Sequence, residues 1–302
     1  AALVLSRARR SVAVIDAGQP RNAPAAHMHG FLGSDGLAPS ALLAAGRREV
    51  LGYGAHLVPG TATDLRHHEG PEPGTRFAVA LDDGRVLTAR RVLVGTGLRD
   101  DVPDIPGLRE RWGRDVLHCP YCHGYEVADQ PLGVIGGTRE ATAHAHLVRQ
   151  WSDDVVHFAN GAPVDAEERE RFRARGISVV EGRIVRLVIE RDRLAGVELE
   201  NGRVVPRAAV FVRPRLVPHG GLLERLGCAS DNGWVVTTDP SGRTSVPGVW
   251  VAGNAADPRA QVITAAGQGS AAAIAINNDL VEEDVTTAVV RARSLPPRPT
   301  SP

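Results

Sequence analysis

Residues 131–141 (PLGVIGGTREA) run from an apolar strand through a glycine pair into the start of a helix. That helix pattern continues to Trp151, and a second strand pattern follows at 155–158. Strand, Gly-rich turn, helix and strand is the grammar of a dinucleotide-binding βαβ unit, and it commits the chain to an α/β fold. The same grammar is cut short at the beginning of the sequence. Residues 1–10 (AALVLSRARR) read as an amphipathic helix with no cap residue, no Pro and no initiating Met; residues 11–16 (SVAVID) read as a β-branched strand ending on a carboxylate. Helix, strand and terminal acid make the second half of such a unit, in which the acid accepts from both ribose hydroxyls. The first half, a strand and a Gly-rich phosphate loop, is expected upstream of residue 1.

Between the two units the pattern gives a helix at 38–53, the stretch AHLVPGTA from Ala55, and strands at 76–81 and 86–89 joined by the turn Asp82-Asp83-Gly84. An apolar strand at 91–97 (RVLVGTG) runs into a Gly-bounded turn, and Pro103, Pro106 and Gly107 mark a crossover. Strands at 184–190, 196–200 and 209–212, a strand and Gly turn at 248–254 (GVWVAGN), and an Ala-rich helix at 265–280 complete the reading. The Pro-rich stretch 294–302 reads as disordered. These elements predict two Rossmann-like, three-layer (ββα) nucleotide-binding domains, the first lacking its opening strand and Gly-rich loop.

Composition narrows the chemistry. At ~150 residues per domain, 302 residues make two domains. No Lys occurs, so all 35 basic residues are Arg; Schiff-base enzymes and ordinary P-loop NTPases are thereby excluded. A formal net charge of +0 gives no drive toward nucleic acid or an anionic membrane surface. The longest small-apolar runs, such as 271–276, fall short of the ~20 residues of a bilayer-spanning helix, and a cytoplasmic location is expected.

The segment HCPYCHGYE at 118–126 carries two of the three cysteines. A CxxC pair at a turn or helix start brings two sulfurs within bonding reach, and neighbouring imidazole and helix-terminal amides favour the thiolate. Zinc is the competing reading, with His118, Cys119, Cys122 and His123 as ligands, although four donors in six residues wrap a tetrahedron poorly and no second pair follows. An inert buried pair is the third. Cys228, within LGCA, reads as a small core residue.

The order of half-unit with terminal acid, Gly-Thr-Gly before a Pro-Gly crossover, CPYC, second Gly-rich unit, then Ala252-Gly253-Asn254 and QVITAAG at 261–267 resembles the low-molecular-weight thioredoxin reductases and their relatives. The resemblance spans the chain to about Leu280. It implies a homodimeric flavoprotein with FAD in a discontinuous domain, residues 1–110 and 243–302, and an inserted domain, 111–242, that carries the CxxC and normally an NADPH site. It puts Asp16 on the FAD ribose with Ala17, Gly18, Arg21 and Asn22 lining the same end. His29 and Gly30 approach the flavin side, and Thr96 and Gly97 pass near the pyrophosphate or ribityl chain. Gly253 and Asn254 face the ribityl hydroxyls, and Gln261, Val262 and Ile263 open the helix whose amides face the ring. It makes Cys122 the thiol next to flavin and Cys119 the one that exchanges with a dithiol or disulfide substrate.

Departures from the reductase pattern sharpen the expectation. His123 stands where a thioredoxin reductase has the Asp proton donor, and Asn254 replaces another Asp. Imidazole titrates near neutral pH, so His123 can serve as acid or base. The CHGYE form is similar to flavin-dependent dithiol oxidases that close disulfides in small natural products. In the second nucleotide unit Thr138 replaces a glycine, 157–161 (HFANG) lacks both the ribose acid and a phosphate-binding Arg cluster, and 212–219 (VRPRLVPH) replaces a Gly-containing loop. All three argue against tight NAD(P)H binding. The expectation is an FAD-dependent disulfide oxidoreductase leaning toward oxidation of dithiols by O2. Its alternatives are an NADPH-dependent thioredoxin reductase and a flavin-free or zinc-binding remnant.

Overall fold

The computed structural model describes residues 1–69, 76–219 and 221–294, so the tail expected to be disordered lies, beyond Ser294, outside the described residues. The chain is α/β and divides into two compact units: residues 1–19, 43–98 and 218–302, and residues 20–42 and 99–217.

The second unit is built on a five-stranded sheet in which every pairing is parallel. Its order is Ile177–Val180, Val155–Phe158, Leu132–Ile135, Ala209–Phe211, Val116–Leu117. Helix Arg139–Val148 connects two adjacent strands of this sheet, Leu132–Ile135 and Val155–Phe158. Because the sheet is covered on both faces, its three central strands are buried throughout rather than alternating. Ile135, Val156, Phe158 and Val210 pack with Leu187, Leu194, Val197 and Val205 of an antiparallel meander (Ile184–Glu190, Arg193–Leu199, Val204–Pro206). Leu132, Val134, Val155 and Phe211 pack with Ala145, Val148 and Phe172 of the helices. Three layers result: meander, sheet, helices.

Several boundaries differ from expectation. The helix expected to reach Trp151 ends at Val148, and the strand expected from 196 begins at Arg193, directly after a two-residue turn in which Arg191 and Asp192 both take positive φ. Helix Ala166–Ala174 and strand Ile177–Val180 are absent from the sequence reading. AEERERFRA offers one core-seeking side chain, Phe172, which is fully buried while charged residues fill the rest of the turns. One apolar position gives no periodicity to read. Asp165 caps this helix by accepting from the Glu168 amide at 2.8 Å.

The first unit holds two parallel strand pairs, Ala13–Asp16 with His56–Pro59 and Val92–Val94 with Val249–Val251, and an antiparallel meander Ala62–His67, Phe77–Leu81, Val86–Ala89. Strand Ala62–His67 was not expected; its exposed Thr63, Arg66 and His67 disguise it. Val249 and Val251 join a core with Leu65, Phe77 and Leu223. Trp250, pointing the opposite way, packs with Ala272, Ile276 and Leu280 of the last helix. That helix runs Val262–Ser294 rather than 265–280. Beyond Leu280 it is anchored by charge rather than apolar surface: Asp279, Glu283 and Asp284 pair with Arg91, Arg90, Arg76, Arg243 and Arg10. The buried Arg91 guanidinium reaches both Asp279 and Glu283.

Candidate functional site

Strand Val116–Leu117 delivers the chain to Cys119, whose extended backbone caps a one-turn helix, Pro120–His123, with Pro120 at the first position. The amides of Cys122 and His123 both donate to the Cys119 carbonyl at 3.1 Å, and this turn brings the two cysteine Cα atoms to 5.2 Å. Cys119 and Cys122 are joined in a disulfide, so the sulfurs are committed to each other rather than to a metal. Among the described residues no three His, Cys, Asp or Glu side chains converge as a metal would require. Gly124 is obligatory in this geometry: a Cβ there would lie 2.5 Å from the Pro120 carbonyl oxygen and 2.9 Å from the Trp151 ring. Trp151 in turn meets Tyr121 edge-on at 5.6 Å, and Tyr121 and Tyr125 are left exposed beside the disulfide.

His123 follows Cys122 directly and is half-buried. Burial pushes its pKa below the usual imidazole range; Glu126 pulls the other way, and His29 adds to the lowering. The ring is therefore neutral near pH 7 and ready to take a proton. His29 meets His123 edge-on with ring centres 6.3 Å apart. Its Nδ1 is 3.2 Å from an Asp35 carboxylate oxygen and its Nε2 is 3.2 Å from Glu126 Oε1. The loop that presents His29 is closed by paired bonds, Met28 amide to Leu37 carbonyl and Gly36 amide to Met28 carbonyl, and by the Gly30 amide donating to Asp35 at 2.8 Å. On the other side of the disulfide, His118 Nδ1 lies 3.4 Å from the Val212 carbonyl oxygen. His144, bonded to the His118 backbone, is buried, and that burial takes its pKa down to about 3.

The remaining candidate residues fall into two groups. In the first unit, Asp16 ends its strand with Oδ1 accepting from the Gly18 amide at 2.8 Å and Oδ2 from Arg47 at 2.7 Å, which hold the carboxyl below its ordinary range. Ala17 lies exposed between them. Gly97 at φ +70° passes 3.9 Å, measured from a built Cβ, from the Asn254 side chain, while the Thr96 hydroxyl and Gly97 carbonyl both engage His219 backbone. Asn254 donates to the carbonyls of Asp257 (3.0 Å) and Ala260 (2.9 Å), bending the chain into Gln261 and the helix that Val262 and Ile263 begin. Gly253, at φ +68°, donates its amide to Gln268 at 2.7 Å. Arg21, Asn22, His29 and Gly30 belong to the second unit with the cysteines. Arg21 grips Asp100 through two nitrogens, at 2.8 and 2.6 Å, and the Asn22 carbonyl accepts from the Ala25 amide.

Sequence reasoning missed Asp35, Arg47, Gln268 and His144 as members of these groups. Only Glu126 had a signal, through its place in CHGYE; the others are brought in by loops and by the far side of a helix turn.

The Gly-rich turn of the second unit keeps its shape. A Cβ on Gly136 would stand 2.3 Å from the Phe158 carbonyl oxygen, and Gly137 takes φ +105°. Thr138 caps helix Arg139–Val148 with extended backbone and no side-chain cap bond. His157 is buried against Phe172, ring centres 5.0 Å apart, and burial lowers its pKa to about 4. Asn160 accepts from the Ile184 amide at 3.1 Å, in the stretch where a ribose-binding acid was sought.

A sheet ordered for dinucleotide binding together with a cysteine disulfide at a helix start defines a disulfide oxidoreductase of the two-nucleotide-site type. The chain belongs to the pyridine nucleotide-disulphide oxidoreductase family, whose model matches residues 1–269, and within it is thioredoxin reductase-like. It is 57% identical to HlmI across 97% of this chain and 92% of that one, with a TM-score of 0.93. An oxidoreductase from Agrobacterium tumefaciens is 38% identical with 93% of each chain covered and a TM-score of 0.85. Thioredoxin reductase sirT of Leptosphaeria maculans is 30% identical over 94% of this chain and 91% of its own length.

Proposed function

We propose that this protein is an FAD-dependent dithiol oxidase: it closes a disulfide in a dithiol substrate and passes the electrons through Cys119 and Cys122 to flavin and then O2. The observation that carries the reading is His123, a half-buried imidazole kept neutral immediately behind the disulfide. An imidazole held in its neutral form can take a proton from a thiol, the direction an oxidase runs. The altered residues of the second nucleotide turn, Thr138, His157 and Asn160, support O2 over NAD(P)H as the electron partner.

The first unit suits FAD. Asp16 offers a carboxylate at a strand end for the ribose, Gly97 and Gly253 keep side chains out of the approach, and the first turn of Val262–Ser294 has free amides and no acidic residue. When bound, FAD supplies a two-electron acceptor that oxygen can restore. Cys119 would take the substrate sulfur and Cys122 would become the thiolate that passes electrons on to flavin, while His123 would hold the substrate proton. The FAD domain is assigned to residues 1–110 and 243–302 and the redox domain to 111–242. By the same family likeness the working form is a cytoplasmic homodimer.

Anaerobic mixing tests the direction. Dithiothreitol is expected to bleach the flavin band and stoichiometric NADPH to leave it; rapid bleaching by NADPH overturns the oxidase reading in favour of a thioredoxin reductase, the activity named in several fungal relatives. A colourless protein would end both.

A further inference from the structure

We propose that His29, held between Asp35 and Glu126, relays to solvent the proton that His123 takes from the substrate dithiol. The assignment rests on His123 being the proton acceptor of the proposed reaction, and it extends that role to residues outside the CxxC turn.

The reaction leaves a proton in a confined place. The substrate's first thiol enters as thiolate, its proton already in solution, and attacks Cys119 Sγ; the Cys119–Cys122 bond breaks, a substrate–Cys119 disulfide forms and Cys122 leaves as thiolate. The second substrate thiol gives its proton to His123, and its sulfur attacks the substrate sulfur of the mixed disulfide. The substrate disulfide closes and Cys119 leaves as thiolate. Two electrons now reside on the cysteine pair, one proton is in solution, and one is on His123, which burial makes a poor place to keep it.

The two charged or titratable groups acting on His123 are Glu126 and His29. His118, although next to Cys119, is turned to the Val212 carbonyl and toward His144. Glu126 both acts on His123 and meets His29 Nε2 at 3.2 Å, so it links the two imidazoles, whose rings stand edge-on. His29 then has the property a relay needs: an imidazole can take a proton at one nitrogen and release it from the other without turning over. Both of its nitrogens are aimed at carboxylates, Glu126 on the inner side and Asp35 on the loop. Exposure rises across the outer step, from a His29 side chain 23% exposed to the Asp35 carboxylate at 65%. The remaining neighbour, His27, lies 6.5 Å from His29 and is tied to the Gly36 carbonyl, so it braces the loop.

The test needs neither oxygen nor flavin turnover. The protein is mixed anaerobically with dithiothreitol in weak buffer; thiols are trapped by rapid alkylation to time the opening of the disulfide, and an indicator dye times proton release. In the unmodified protein the two are expected to keep pace. In His29→Ala, and in the shape-conserving Glu126→Gln, the rate at which the second proton is released, relative to the freeing of the Cys119 thiol, is expected to fall about tenfold, a modest share of what positioned proton transfer contributes. Free imidazole is expected to restore it in His29→Ala. A merely structural role for His29 would not respond to imidazole. Release that keeps pace in both variants, or a lag that imidazole leaves untouched in His29→Ala, overturns the relay. His123→Ala separates the two levels. If it closes the dithiothreitol disulfide and frees the Cys119 thiol as fast as the unmodified protein, the reading of His123 itself has failed; if it is slow in that step while the His29 and Glu126 variants keep pace, the relay alone is wrong.

Discussion

The two units differ in what each keeps of a nucleotide-binding unit. The second has the complete frame, five parallel strands in crossover order with a Gly-rich turn at the head of a helix, yet its reading positions hold Thr138, a buried His157 and an Asn160 spent on the backbone. In the first, the described strands form two separate parallel pairs and an antiparallel meander, while Asp16, Gly97, Gly253 and Asn254 are the residues proposed to face a cofactor. A sheet is stabilised by its apolar layers and survives the loss of every ligand-contacting side chain. Frame and recognition are thus separable, and only recognition predicts which cofactor a unit takes.

The comparison breaks most sharply if chemistry survives without the second unit's cysteines. Cys119→Ser or Cys122→Ser is expected to take dithiol turnover to background, measured as disulfide formation in dithiothreitol, while leaving bound flavin in place. Asp16→Ala is expected to do the reverse: it removes charge-assisted hydrogen bonds worth roughly 1.5–3 kcal/mol, so flavin should be held about ten- to a hundredfold more weakly. Equilibrium dialysis followed by flavin fluorescence measures this, and an unchanged affinity would remove the first unit from the flavin site. Thr138→Gly sharpens the other half. It takes away a side chain where backbone should approach a pyrophosphate, at little expense to the helix it caps, and is expected to tighten NADPH by about tenfold, or ~1.4 kcal/mol. If NADPH binding does not change, His157 and Asn160 carry the loss instead.

What was legible in the sequence follows the same division. Asp16 could be read because a carboxylate at the end of a β-branched strand is a local signal, and the disulfide because four consecutive residues carry it. Helix Ala166–Ala174 could not, since Phe172 alone gives no period, and the last helix was cut at Leu280 because its outer turns are held by Arg pairs instead of an apolar stripe. The grouping of His29 with Glu126 and Asp35 was also hidden. It depends on a loop of residues 20–42 folding with the second unit, a long-range fact that no window of sequence contains.

Acid separates the two units as well. Burial depresses His157 to about 4 and His144 to about 3, and both belong to the second unit. An unfolded histidine takes up its proton near pH 6.5, whereas these two refuse it while folded, so between about 6.5 and 4 the unfolded state binds more protons. Stability is therefore full above pH 6.5 and falls as the pH drops toward the folded values, by roughly 2–3 kcal/mol for His157 alone, because each pKa unit is worth about 1.4 kcal/mol. Asp16, Asp279 and Glu283 in the first unit have pKa values below the ordinary carboxylate range; burial raises Asp279 and Glu283, but Arg partners prevail. Their contribution is intact above the usual carboxylate range and is lost only at lower pH. Hydrogen exchange from pH 7 down to pH 4.5 should then show the second unit loosening first. His157→Gln, which has no proton to refuse, should flatten that unit's pH dependence whatever it does to its stability at neutral pH. Loosening of both units together would mean that the buried histidines do not set the acid limit, and that the arginine-held carboxylates fail in the same range.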